Sequence, residues 1–64
     1  MLGQYLKKYR LDHNLSQIEM ADRLETSQSY YSLLERGTLK PGIRLIRRIS
    51  ALLEVDPQFV RSML

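Results

Sequence analysis

Cysteine is absent from this chain, which removes both disulfide staples and thiolate-based metal sites. No apolar run is long enough to cross a membrane, and the N-terminus lacks the apolar stretch of a secretory leader. A reducing, intracellular location is the expectation. No stretch alternates apolar and polar residues at period two, so no strand is expected. Neither a Ser-His-Asp set nor a paired-carboxylate site stands out, so no enzymatic activity and no cofactor are expected. His13 is the only histidine. A metal would need Asp and Glu around it, and none is expected there; its place at a helix C-terminus is explained by the helix dipole.

What remains must fold without staples. Sixty-four residues make one domain at most. A chain this short buries only about 60% of the surface its unfolded form exposes, so stability is marginal. The hydrophobic fraction of 44% is ample for a core of packed helices and too high for a disordered chain. The net charge of +3 permits a nucleic-acid partner without requiring one.

The spacing predicts a first helix over Leu2 to His13, with Leu2, Tyr5, Leu6 and Tyr9 on one face and Gln4, Lys7 and Lys8 opposite. Arg10 falls at the edge of the apolar face, where a charge needs a partner. Asn14 is a plausible left-handed stop. Ser16 and Glu19 then form an S-x-x-E capping box, and Leu15 and Met20 have the spacing of a hydrophobic staple. A second helix follows, Gln17 to Leu24, burying Met20, Ala21 and Leu24. Glu25-Thr26-Ser27 ends it and starts a third, Gln28 to about Arg36, closed by Gly37. Two short helices across so tight a turn have the helix-turn-helix layout.

On the third helix Tyr31 and Leu34 point inward, while Gln28, Ser29, Ser32, Leu33 and Arg36 cover the outer arc; Tyr30 and Glu35 lie on its boundaries. A face of Gln and Ser ending in Arg suits base edges and phosphates. From Arg36 to Arg48 stand Arg36, Lys40, Arg44, Arg47 and Arg48 with no acid among them, whereas from Asp12 to Glu35 the acids outnumber Arg23. A loop, Thr38 to Gly42, leads to a fourth helix, Ile43 to Leu53, with Leu45, Ile46, Ile49, Leu52 and Leu53 on one stripe. A fifth starts at Asp56 with Pro57 in the first helical position; Phe59, Val60, Met63 and Leu64 give it an apolar side, free to finish the core or to meet a partner. Leu24-Glu25-Thr26-Ser27 and Leu53-Glu54-Val55-Asp56 share one pattern of helix end, turn and new cap.

Ser16-Gln17, Met20-Ala21, Leu24, Ser27, Tyr31, Leu34-Glu35 and Gly37, continued by Pro41, Ile46, Ile49, Leu53, Val55 and Phe59, resemble the Cro/C1-type (XRE-like) helix-turn-helix of phage repressors and bacterial regulators. The resemblance implies an all-α, five-helix, lambda-repressor-like domain whose third helix enters the major groove. It implies that Gln28, Ser29 and Leu33 face base edges, that Gln17 touches phosphate or braces Gln28, and that Arg10 and Glu35 form an internal ion pair. It also implies a bacterial cytoplasmic, nucleoid-associated or phage-encoded setting. Where the family usually has glycine, this chain has Asn14, Glu25 and Glu54. Glu25 held at positive φ costs about 1 kcal/mol; the alternative is a reshaped turn and a different presentation of the third helix.

The expected function is sequence-specific binding of double-stranded DNA by a transcriptional regulator, a repressor, acting as a homodimer on a palindromic operator. Gln28 has the donor and acceptor that adenine needs, Leu33 fits a thymine methyl, and Ser29 and Ser32 are the less selective members of the base-facing set. Gln17, Tyr30, Arg36, Lys40 and Arg44 are the phosphate candidates. For each the plain alternative is a solvated side chain, or for Tyr30 half-burial. The competing function is a helical interaction module, an antitoxin-like or anti-repressor partner, with Leu11, Ile18 and Leu33 as its contacts.

Overall fold

The computed structural model describes residues 1–64 as five helices joined by short turns: α1 (Leu2–Asp12), α2 (Gln17–Arg23), α3 (Gln28–Arg36), α4 (Ile43–Leu53) and α5 (Pro57–Arg61). No strand is present, and no helix is long and apolar enough to cross a membrane. The helix starts follow local chemistry. Ser16 forms a complete capping box with Glu19, at 3.0 Å from the Glu19 N–H to Ser16 Oγ and 2.9 Å from the Ser16 N–H to the Glu19 carboxylate. Ser27 caps α3 by accepting from the Tyr30 N–H, and Asp56 caps α5 by accepting from the Gln58 N–H, with Pro57 behind it. These bonds satisfy amide donors that a helix leaves unpaired at its start.

The first helix ends one residue earlier than the periodicity predicts, because His13 takes the C-cap. Its ring stacks on Tyr9 at 4.0 Å between centroids, and Nδ1 lies 2.8 Å from the Tyr9 carbonyl oxygen. Leu2, Leu6, Leu15, Met20, Ala21, Leu24, Tyr31, Leu34, Leu45, Ile46, Ile49 and Val60 make one buried cluster. Tyr5 departs from the expected apolar face of the first helix: it stands at the surface, edge to face with the ring of Phe59 at 5.7 Å. The fifth helix reaches the core through Val60 instead, while Phe59 and Leu64 stay exposed.

Three residues other than glycine have positive φ: Asn14 (54°), Glu25 (57°) and Glu54 (57°). All three occupy positions where glycine would sit without strain. The turn between α2 and α3 is therefore not reshaped around Glu25; the backbone keeps the left-handed conformation with the wrong residue in it. Glu54 repeats the solution at the end of α4, as the echo between the two sequences suggests.

Gly3 has a role that the period of the first helix does not disclose. A Cβ built there would stand 2.3 Å from the carbonyl oxygen of Glu35 and 2.6 Å from that of Leu34. The first turn of α1 thus lies directly on the last turn of α3, and only glycine allows it.

Two measurements of urea midpoint check this account. Glu25→Gly and Glu54→Gly each raise stability by about 0.5–1 kcal/mol, because relief of left-handed strain outweighs the extra freedom glycine gives the unfolded chain. Gly3→Ala lowers it by about 1–3 kcal/mol, the range for forcing atoms into a filled site.

Candidate nucleic-acid interface

The candidate surface is built outward from one carboxylate. Glu35 sits in the last turn of α3, and Arg10 approaches it from α1: Nε lies 2.6 Å from Oε2 and Nη2 3.3 Å from Oε1, a two-pronged pairing. The side chains keep only 13% and 6% of their surface in contact with solvent. The third guanidinium nitrogen donates to the Leu15 carbonyl at 3.1 Å, fastening the turn that precedes α2. Tyr31 donates its hydroxyl to Glu35 Oε2 at 2.5 Å, and Gln17 donates Nε2 to Oε1 at 3.2 Å. A single acid therefore ties α1, α2 and α3 together.

Burial pushes the Glu35 carboxyl upward, but hydrogen bonds from Arg10, Tyr31 and Gln17 outweigh it and hold the group below its ordinary value. The bond to Glu35 raises Arg10, and burial together with the same carboxylate pushes the Tyr31 phenol well above its usual range. Glu35 is thus an acceptor-only anion at neutral pH.

Gln17 braces Gln28, which donates Nε2 to Gln17 Oε1 at 3.1 Å. The contact joins the first residue of α2 to the first residue of α3. Gln28 and Ser29 are exposed, and Leu33 keeps 37% of its surface in solvent. Ser32 is half covered. Tyr30 is partly buried and packs on the core, so its half-burial is the arrangement present. Arg36, Lys40 and Arg44 are all exposed.

A shallow surface groove of about 430 Å³ separates the α2–α3 turn from the start of α4 and is lined by Glu25, Thr26, Tyr30, Arg44 and Arg48 among others. Arg48 has a place that its distance from the third helix in sequence hides, for it stands 3.7 Å from the Glu25 carboxylate. Both groups are well exposed, so the pair adds little to stability. Only a folded α4 brings Arg48 to that turn; sequence spacing carries no such signal.

Two helices in this relation, the second with a sealed inner face and an open polar outer face, define a helix-turn-helix reader of nucleic acid. The chain belongs to the Cro/C1-type helix-turn-helix family of DNA-binding regulators: the family profile described as "Helix-turn-helix" matches residues 6–60. Among its relatives, the uncharacterized HTH-type transcriptional regulator YqaF of Bacillus subtilis is 34% identical over 56 residues, covering 88% of this chain and 74% of that protein. The HTH-type transcriptional regulator SinR of Bacillus subtilis is 36% identical over 57 residues, covering 88% of this chain but 51% of SinR. The ImmF control region 10 kDa protein of Bacillus phage phi105 is 36% identical over 55 residues, covering 86% of this chain and 61% of that protein. The chain thus spans about half to three-quarters of these relatives.

The linked equilibrium has a definite sign. Because the folded carboxyl of Glu35 titrates below its ordinary value of 4.5, its stabilising contribution is complete above that pH and is lost as pH falls through the lower folded value. Acid titration of thermal stability is expected to show this loss, and Glu35→Gln to flatten it. Arg10→Met, which leaves the buried carboxylate without its counter-ion, costs about 3 kcal/mol at pH 7, towards the lower end of the range because Tyr31 and Gln17 still donate to it.

Proposed function

We propose that residues 1–64 form a single DNA-reading domain of a transcriptional repressor, which binds as a homodimer to a two-fold symmetric operator with α3 in the major groove. The division of α3 carries this reading: Tyr31 and Leu34 are sealed in the core, while Gln28, Ser29 and Leu33 stand open to solvent. Gln28, Ser29 and Leu33 meet base edges, with the half-covered Ser32 at the margin. Arg36, Lys40 and Arg44 neutralise phosphates on either side of the groove. Tyr30 reaches phosphate with its hydroxyl while its ring stays on the core, and Gln17 adds its remaining amide hydrogen.

One domain of this size touches few base pairs, so useful specificity comes from two half-sites about one helical turn apart. The names of YqaF and SinR as transcriptional regulators, and of the phage relative as a control-region protein, fit this role. Occupying a site is enough to block access to it, which makes repression the simplest output. The exposed Leu11 and Ile18, at 55% and 60%, support a second reading, a helical interaction module such as an antitoxin or anti-repressor partner.

Selection of bound duplexes from a random pool, followed by salt titration on the winner, tests the proposal. A two-fold symmetric motif is expected, bound more weakly as salt rises. Lys40→Ala and Arg44→Ala each flatten the log–log salt slope by about 0.9, the share of one phosphate contact. Leu33→Glu abolishes DNA binding and leaves self-association intact. A salt-independent affinity no stronger than about 10⁻⁴ M for every duplex overturns the reading. Loss of self-association alone in Leu33→Glu favours the interaction module.

A further inference from the structure

The bonds from Glu35 through Gln17 to Gln28 have a direction. A primary amide offers an oxygen that accepts and a nitrogen that donates, and its two ends exchange by a half-turn of the terminal torsion. Nothing in the shape of glutamine chooses between them; the choice falls to whatever stands at either end. Glu35 settles it for Gln17. With Arg10 paired to it, the carboxylate has acceptors only, so Gln17 must turn Nε2 towards Oε1. The opposite orientation would set oxygen against oxygen in a partly buried site. Gln17 Oε1 is then necessarily the atom that faces the first residue of α3, and Gln28 must answer it with Nε2. The orientation of the second amide follows from the charge of a residue that makes no bond to it.

We propose that Glu35 is a positioning residue for base selection, acting through Gln17 to fix which end of the Gln28 amide is presented to DNA. This inference rests on the reading of α3 as the recognition helix. In the fixed orientation Gln28 spends one Nε2 hydrogen on Gln17 and keeps outward one Nε2 hydrogen and the Oε1 acceptor. That pair is complementary to the N7 acceptor and N6 donor of adenine. Reversed, Gln28 would spend Oε1 on Gln17 and turn two N–H donors outward, the complement of the two acceptors N7 and O6 of guanine. Glu35 therefore disfavours guanine at this position by polarity, with no contact to the base. The same ion pair that joins three helices also sets the letter that the first residue of α3 reads.

The test compares affinity for the selected operator with affinity for the same duplex carrying guanine in place of adenine opposite Gln28, at a temperature where circular dichroism shows each variant folded. The parent chain is expected to prefer adenine by about tenfold or more, within the range for one bidentate contact. Gln17→Met leaves Arg10 and Glu35 paired, so the fold is kept, and the preference falls to within about threefold of unity. Glu35→Gln lowers it to the same extent, and adds nothing in a Gln17→Met background, because both act on one relay. Preferences at positions read by Ser29 and Leu33 stay as they were. If Glu35→Gln does not fold, Gln17→Met alone decides. A purely structural role gives a different pattern: affinity falls on every duplex and the adenine-to-guanine ratio holds, which overturns the inference while leaving the recognition helix in place. If Gln28→Ala itself leaves every base preference of the parent unchanged, the reading of α3 fails, and the inference fails with it.

Discussion

The arrangement of α1, α2 and α3 depends on a carboxylate that water barely reaches. Removing Glu35 from solvent is unfavourable by itself, and its burial is offset because four donor groups converge on it: two nitrogens of Arg10, the Tyr31 hydroxyl and the Gln17 amide. Each donor comes with a constraint. Arg10 fixes α1, Tyr31 fixes the adjacent turn of α3 and Gln17 fixes the start of α2. Burial of apolar side chains has no direction and would tolerate a range of helix angles. The hydrogen bonds to one anion tolerate few, which is how a domain with a small core holds a defined surface.

The second constraint is steric. Gly3 brings the first turn of α1 against the carbonyls of Leu34 and Glu35, and the same contact sets how far along α3 Arg10 arrives. Ion pair and glycine together fix the height and the tilt of α1. At the other side of α3 the turn through Glu25 keeps a left-handed backbone at a cost. The angle between α2 and α3 is therefore held by packing and by the Gln17–Gln28 bond against a local preference to relax.

Much of this was legible in the sequence, because the signals were local. Ser16 with Glu19, Ser27, Gly37 and Pro57 mark helix ends through bonds made within a few residues, and the buried stripe of α4 follows from helical period alone. Leu34 and Tyr31 could be assigned inward on the same ground. The exceptions are all relations between elements. The period of α1 puts Tyr5 with the core, yet its ring stands at the surface against Phe59 from α5, a partner no window on α1 contains. The same is true of Arg48, whose approach to Glu25 depends on how α4 packs. Gly3 is different: an isolated glycine in a helical pattern is itself a sign of close approach, though it does not say to what. The outward residues of α3 were legible as a set; the order imposed on Gln28 by Gln17 and Glu35 was not, since it depends on the charge of a residue one helix-length away.

The amide of Leu2 donates to the carbonyl of Met63 at 3.2 Å. All five helices lie between those two residues, so this bond cannot form until α5 has been made. The side chains bonded to Glu35 all come from α1, α2 and α3, whereas the core beneath them is completed by Leu45, Ile46, Ile49 and Val60 from α4 and α5. The turn after α5 closes on the first turn of α1. Within five short helices the candidate base-reading side chains all belong to the third, and one backbone hydrogen bond links the turn after α5 to the start of α1.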